Sequence, residues 1–208
     1  MHRRTALSVS AALLLAAPLL SACSGEARPG TAAVVGGERI TTSALQAQVK
    51  DVRDAQQRSG NAAQLMAGST QLERVKLSKM IQLRVLEKAA ATAGITVSVK
   101  EIEEVQKGQL AQTGGSRQKM DEIMLAQRVP LAPGQVEDEI RFQLLFTKLS
   151  DRYGEDKVLE PLAKAAEQLH IEVNPRYGAW DTRQITVGDQ QTSWISQKTR
   201  PEQPPAGA

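Results

Sequence analysis

Between Ser69 and Gly94 the chain reads as one long helix with two apolar faces. Leu72, Val75, Leu83, Leu86, Ala90 and Ala93 recur at helical spacing on one face, and Leu77, Ile81 and Val85 on another. A helix with one apolar stripe can lie on a surface, but one with two must be packed between neighbours. The spacing predicts a central helix around which a domain is assembled, with Ser69 or Thr70 as its N-cap and Gly94 as its stop.

The neighbours are also helices. All six aromatic residues (Phe142, Phe146, Tyr153, Tyr177, Trp180 and Trp194) lie in the last third of the chain, so the earlier part must build its core from Leu, Ile, Val, Met and Ala. That composition suits helices and argues against a β-sandwich. A first helix is expected from about Ser43 to Arg58 on Leu45, Val49 and Val52. Ser98-Val99-Lys100-Glu101 is a capping box that opens a third, bearing Ile102, Val105 and Leu110. Ser116 begins a short fourth helix between Gly114-Gly115 and Pro130. A fifth, about Gly134 to Arg152, again has two faces, one of them Phe142, Leu145, Phe146, Leu149 and Tyr153. A sixth, about Asp156 to His170, tolerates Pro161 in its first turn. Strand signals are few: Ala32 to Val35, a Gly36-Gly37 turn returning through Glu38-Arg39-Ile40, and Ile171 to Val173.

The N-terminus is of another kind. Arg3 and Arg4 precede an uncharged apolar run from Ala6 to Leu20, too short to span a bilayer comfortably and typical of an export signal. Leu20-Ser21-Ala22-Cys23 resembles the bacterial lipobox. The resemblance implies cleavage before Cys23 and diacylglycerol on its thiol, which also accounts for a lone cysteine in an exported chain. Two or more acyl chains anchor stably. The arginine pair also raises a twin-arginine export route. The expected organisation is a signal peptide over 1–22, a lipidated tether over 23–31, a domain over 32–181 and a disordered polar tail over 182–208. Loss of Arg3 and Arg4 leaves 24 basic against 23 acidic residues, so nucleic acid is not an expected partner.

Three segments, in order, resemble one family. Val34-Val35-Gly36-Gly37-Glu38-Arg39-Ile40-Thr41 is similar to the opening of SurA- and PrsA-type extracytoplasmic chaperones, although asparagine is usual where Gly36 stands. Leu83 through Gly94-Ile95-Thr96-Val97-Ser98 to Ile102 resembles that family's long helix and the link after it. His170 to Asp181 resembles the segment that closes the chaperone module. The resemblance implies a mostly α fold with a small two-stranded β element, in which Val34-Val35 pairs with Ile171 to Val173. Many members insert a parvulin-type prolyl isomerase between the fifth and sixth helices. Here only about Tyr153 to Asp156 separates them, which implies the chaperone module alone.

Enzyme chemistry has little to work with. His170 is the only histidine after the signal, and its place at a helix end favours an interaction with the helix dipole over nucleophilic catalysis. Zinc would need His and Cys ligands that are missing, Gly36-Gly37 and Gly114-Gly115 lack a phosphate-loop context, and no cofactor is expected. Binding of unfolded chains asks instead for an adaptable apolar surface, which methionine supplies. Met66, Met80, Met120 and Met124 lie in the helical region, and Met120, Ile123 and Met124 are the expected exposed client-binding patch. Tyr177 and Trp180 are expected to lock the closing segment onto the domain. The function expected is a non-enzymatic, ATP-independent holdase for unfolded or nascent exported proteins, lipid-anchored on the extracytoplasmic face of a membrane. The alternative is an adaptor lipoprotein that docks one envelope partner.

Overall fold

A computed structural model of the chain describes residues 29–189. The expected signal peptide over 1–22, the expected lipidation site Cys23 and residues 190–208 of the expected tail lie outside the described residues. The chain enters through β1 (Thr31–Val35), one residue earlier than the expected tether boundary, and turns back into β2 (Glu38–Thr41). Gly36 and Gly37 have φ of 61° and 81°, the left-handed pair that a two-residue hairpin turn requires. Gly36 also donates its N–H to Leu169 O at 2.6 Å, which ties the turn to the far end of the chain. Thr41 then caps α1 (Thr42–Arg58) by accepting from Ala44 N.

The expected pairing of distant strands is present. β3 (Glu172–Val173) lies antiparallel to β1, with Ala33 opposite Val173 and Val34 opposite Glu172. Asn174 extends the junction: its N–H reaches Ala32 O at 2.9 Å and its side-chain amide Thr31 O at 3.0 Å. The sheet therefore has three strands, in the order β2-β1-β3, where two were expected.

The long helix is α3 (Leu72–Thr92), and it is central as its two faces required. Leu77, Ile81, Val85 and Leu86 are fully enclosed in a core with Val35 and Ile40 of the hairpin, Leu45 of α1, Leu145 and Leu149 of α6 (Val136–Tyr153), and Leu162, Ala165 and Ala166 of α7 (Leu159–Gln168). Neither Ser69 nor Thr70 caps α3. Its N-cap position is Gln71, without a side-chain bond, because Ser69 is used elsewhere. Ser69 Oγ donates to Leu65 O in α2 (Ala62–Ala67), a short helix the small-residue stretch did not announce, and accepts from Gln56 Nε2 and Arg53 Nη1.

A second, smaller core sits under α4 (Val99–Gln112) and α5 (Arg117–Leu125), where Ile102, Met120, Met124 and Leu131 meet Val136 and Ile140 of α6. Both helices begin as the sequence predicts: Ser98 and Glu101 form the reciprocal box, and Ser116 Oγ accepts from Lys119 N.

The domain does not end at Asp181. β4 (Ala179–Asp181) pairs with β5 (Thr186–Gly188), so the first part of the expected polar tail is ordered. α3 holds it: Gln82 Nε2 donates to Ile185 O at 2.6 Å, Ser78 Oγ accepts from Val187 N, and Ile185 and Val187 are buried. Gly178 has φ of 120°, and a Cβ there would lie 2.1 Å from Gly188 O. Tyr177, which is buried, and Trp180, packed on the same core, lock this closing segment in place as expected.

Candidate functional site

Met120 and Met124 do not form an exposed patch. They are 3% and 9% exposed and lie one helical turn apart on the face of α5 that fills the smaller core. Only Ile123, on the flank of that face, is exposed, at 55%. A short helix between Gly-Gly and Pro breakers still has to cover α6, and unbranched methionines fill the irregular space beneath it.

Of the other methionines, Met80 lines a groove. Successive turns of α3 present Lys76, Lys79, Met80, Leu83, Arg84 and Glu87 towards Asp138, Glu139 and Phe142 of α6, and Leu131 also lines the space. The space holds about 240 Å³, below the roughly 300 Å³ at which small-molecule pockets begin. It suits one or two apolar side chains of a longer ligand. Met80, Leu83, Leu131 and Phe142 supply an apolar floor, and charged residues of both signs line the rim.

The polar side of the groove is tightly organised. Lys76, at 3% exposed, donates from Nζ to Gln135 Oε1 at 2.6 Å, and Gln135 Nε2 donates to Gln48 O in α1 at 2.8 Å. One glutamine thus joins α1, α3 and the start of α6. Burial pushes the Lys76 ammonium down to about 8, with Glu139 opposing and Lys79 reinforcing the shift. The Lys79 ammonium sits 3.6 Å from the centre of the Phe142 ring and pairs with Glu139 at 3.1 Å. At the mouth, partial burial raises the Glu87 carboxyl, opposed by Arg141, reinforced by Asp138 and opposed again by Arg84. None of this is arranged as a nucleophile with its base. The groove offers apolar contact, a polarised aromatic face and a rim that can pair with either charge.

A family model described as the SurA-like N-terminal domain matches residues 4–150, more than half of the 208-residue chain. The chain belongs to the SurA-like N-terminal domain family. No curated protein and no solved structure matches it. The groove lies wholly within the part of the SurA-like chain that the family model covers, whereas α7, β3 and the β4–β5 hairpin follow it. Family membership carries a chaperone-type role. Among the described residues no helix is long and apolar enough to cross a membrane.

The groove's ingredients were visible in the sequence as separate items: Leu83 on a face of the long helix, Phe142 on a face of the fifth, and Met80 among the helical methionines. Missing was the knowledge of which faces oppose each other. That pairing is set by Gln135 and the sheet, contacts made across 59 residues or more.

Proposed function

We propose that this SurA-like chain is a membrane-tethered, ATP-independent holdase. In this reading the α3–α6 groove receives apolar side chains of unfolded exported proteins, and lipid on Cys23 holds the domain at the extracytoplasmic membrane face. The observation that carries the reading is the open groove of Met80, Leu83, Leu131 and Phe142 in a domain of a chaperone-type family. Weak, geometry-tolerant binding follows from its small volume and mixed rim. The absence of isomerase activity is part of the same reading: α6 and α7 are joined directly through residues 154–158, leaving no inserted domain at the position where the resemblance would put one.

The test is suppression of light scattering as two unrelated denatured proteins refold, with a Met80→Gln/Leu83→Gln variant beside the parent. Suppression of both clients, weakened several-fold in a variant of unchanged helicity, is the expected result. If the folded protein suppresses neither and one envelope protein is captured saturably instead, the chain is an adaptor and the holdase reading fails. Measurable catalysis of prolyl isomerisation would overturn the non-enzymatic part.

A further inference from the structure

The chain enters the domain among arginines. Arg39 Nε donates to Thr31 Oγ1 at 2.8 Å and its Nη2 to Pro29 O at 3.1 Å, so its guanidinium lies against the first described residues. On the other side of β1, Asn174 bonds Thr31 O, and the turn it begins carries exposed Arg176. Arg176 lines a cleft of about 370 Å³ with Arg53, Arg74, Tyr177 and Leu72.

Three of these four arginines have no ion pair among the described residues. Arg53 donates only to uncharged acceptors, namely Gln56 Oε1, Ser69 and Met66 O. Arg39 and Arg176 have no ion pair among the described residues, and Arg74 pairs with exposed Asp189. The other acids at this end are Glu73, which accepts from Gln46 Nε2, and Glu172 on β3. Four arginines thus stand with three carboxylates at this end, two of which are already hydrogen-bonded, Glu73 to Gln46 and Asp189 to Arg74.

We infer that this arginine-lined end of the domain docks on anionic phospholipid headgroups. The inference rests on the anchored reading above, because position decides between possible anions. Pro29 lies six residue steps beyond Cys23, a reach of at most about 20 Å when fully extended. A lipid on Cys23 therefore keeps this end close to the headgroup plane. There each arginine strengthens binding by about five-fold, within a Debye length of about 10 Å. Tethering makes the contact intramolecular, so modest affinity suffices. Docking would fix which way the domain faces instead of leaving it free on its tether.

The test uses the full mature chain carrying Cys23→Ser, so that no acyl chain contributes, sedimented with vesicles of phosphatidylcholine alone or containing phosphatidylglycerol. Binding is expected only to the anionic vesicles, and is expected to disappear between about 0.05 M and about 0.5 M salt. Arg74→Gln/Arg176→Gln should lower it about ten-fold or more, while the matching lysine pair should retain most of it. Equal binding to both vesicle types, or a glutamine pair that binds like the parent, overturns the inference. Capture of a poly-glutamate peptide without vesicle binding overturns it in favour of an acidic polypeptide partner. Suppression of client aggregation should be unchanged in the glutamine pair, so loss of holdase activity and loss of lipid docking are read separately. The mass of the N-terminal peptide from membranes reports the anchor by itself.

Discussion

The two larger cores of this domain are built on different principles, and a third, of Val52, Ala55, Leu72, Leu125 and Ala132, lies between α1, α3 and α5. The larger is closed by contacts between segments far apart in the sequence: β1 with β3, Gly36 with Leu169, and α3 with the β4–β5 hairpin. The smaller, under α4 and α5, is closed by neighbours in sequence, each helix started by its own serine cap. Stability is not uniform across such a structure, and units held by local contacts can open without the rest. The large core is the part that must be complete before the domain exists. The α4–α5 arm is expected to loosen first while α3, α7 and the sheet stay folded, although Leu125 of α5 ties it to Val52 and Ala55 of α1 and Leu72 of α3.

Gly178→Ala should break the large core most severely. A Cβ 2.1 Å from Gly188 O cannot be accommodated without separating β4 from β5, and the backbone conformation is itself costly for any other residue. A loss of about 4 kcal/mol or more is expected in denaturant unfolding. Leu149→Ala, at a fully buried α6 position, should cost about 3 kcal/mol and shift a single cooperative transition. Met120→Ala tests the other core and should cost about 2 kcal/mol. Its signature should be faster amide exchange in α4 and α5, with α3 and β1 still protected. If α3 and β1 lose protection in step with α5, the two regions are one cooperative unit.

Lys76 lies where α1, α3 and α6 are joined, and its charge is kept there at a cost. Its pKa is about 8 in the fold against 10.5 for the free side chain, so between those values the unfolded chain binds more protons. Stability should rise with pH across that window, by roughly 3 kcal/mol in full. Lys76→Met should remove the slope and stabilise the protein near pH 7 by about 2 kcal/mol, since Gln135 Oε1 still accepts from Ala132 N at 3.3 Å. A flat parent profile between pH 8 and 10.5 would show that the ammonium is better solvated than its surroundings imply.

The smallest effect belongs to the arm. Ser98→Ala removes one half of the capping box and should cost about 1 kcal/mol, read as fraying of α4 alone. Lys148, then the Ser98 backbone and hydroxyl, hold the Glu101 carboxyl down to about 2. Because that value lies below the ordinary 4.5, the contribution is complete above 4.5 and is lost as pH falls towards 2. Acid should therefore release the N-terminus of α4, and Glu101→Gln should remove that dependence.

Much of the fold was legible because its signals are local. Caps at Ser98 and Ser116 and the turn at Gly36-Gly37 depend on a few adjacent residues, and the helices after those two serines started where these said. The two-faced pattern of α3 placed it at the centre. What failed depended on distant partners. Ser69 had the right identity for a cap, but Arg53 and Gln56 of α1 recruit it. Met120 and Met124 had the composition of a binding patch, but their exposure was decided by α6. Ile185 and Val187 sat in a polar stretch, and only Ser78 and Gln82, more than a hundred residues earlier, give their strand a place to pack.

The position of β1 also bears on force. It is hydrogen-bonded on both sides, to β2 and to β3, and the preceding chain leaves from its Thr31 end. With the proposed anchor on Cys23, tension on that chain would be passed to β1 at its Thr31 end, where both neighbouring strands hold it. Resistance then comes from both rows of hydrogen bonds and from the Asn174 and Arg39 contacts at Thr31 acting together, so they must yield as a group and not one after another. A domain tethered through Cys23 would load these contacts in shear.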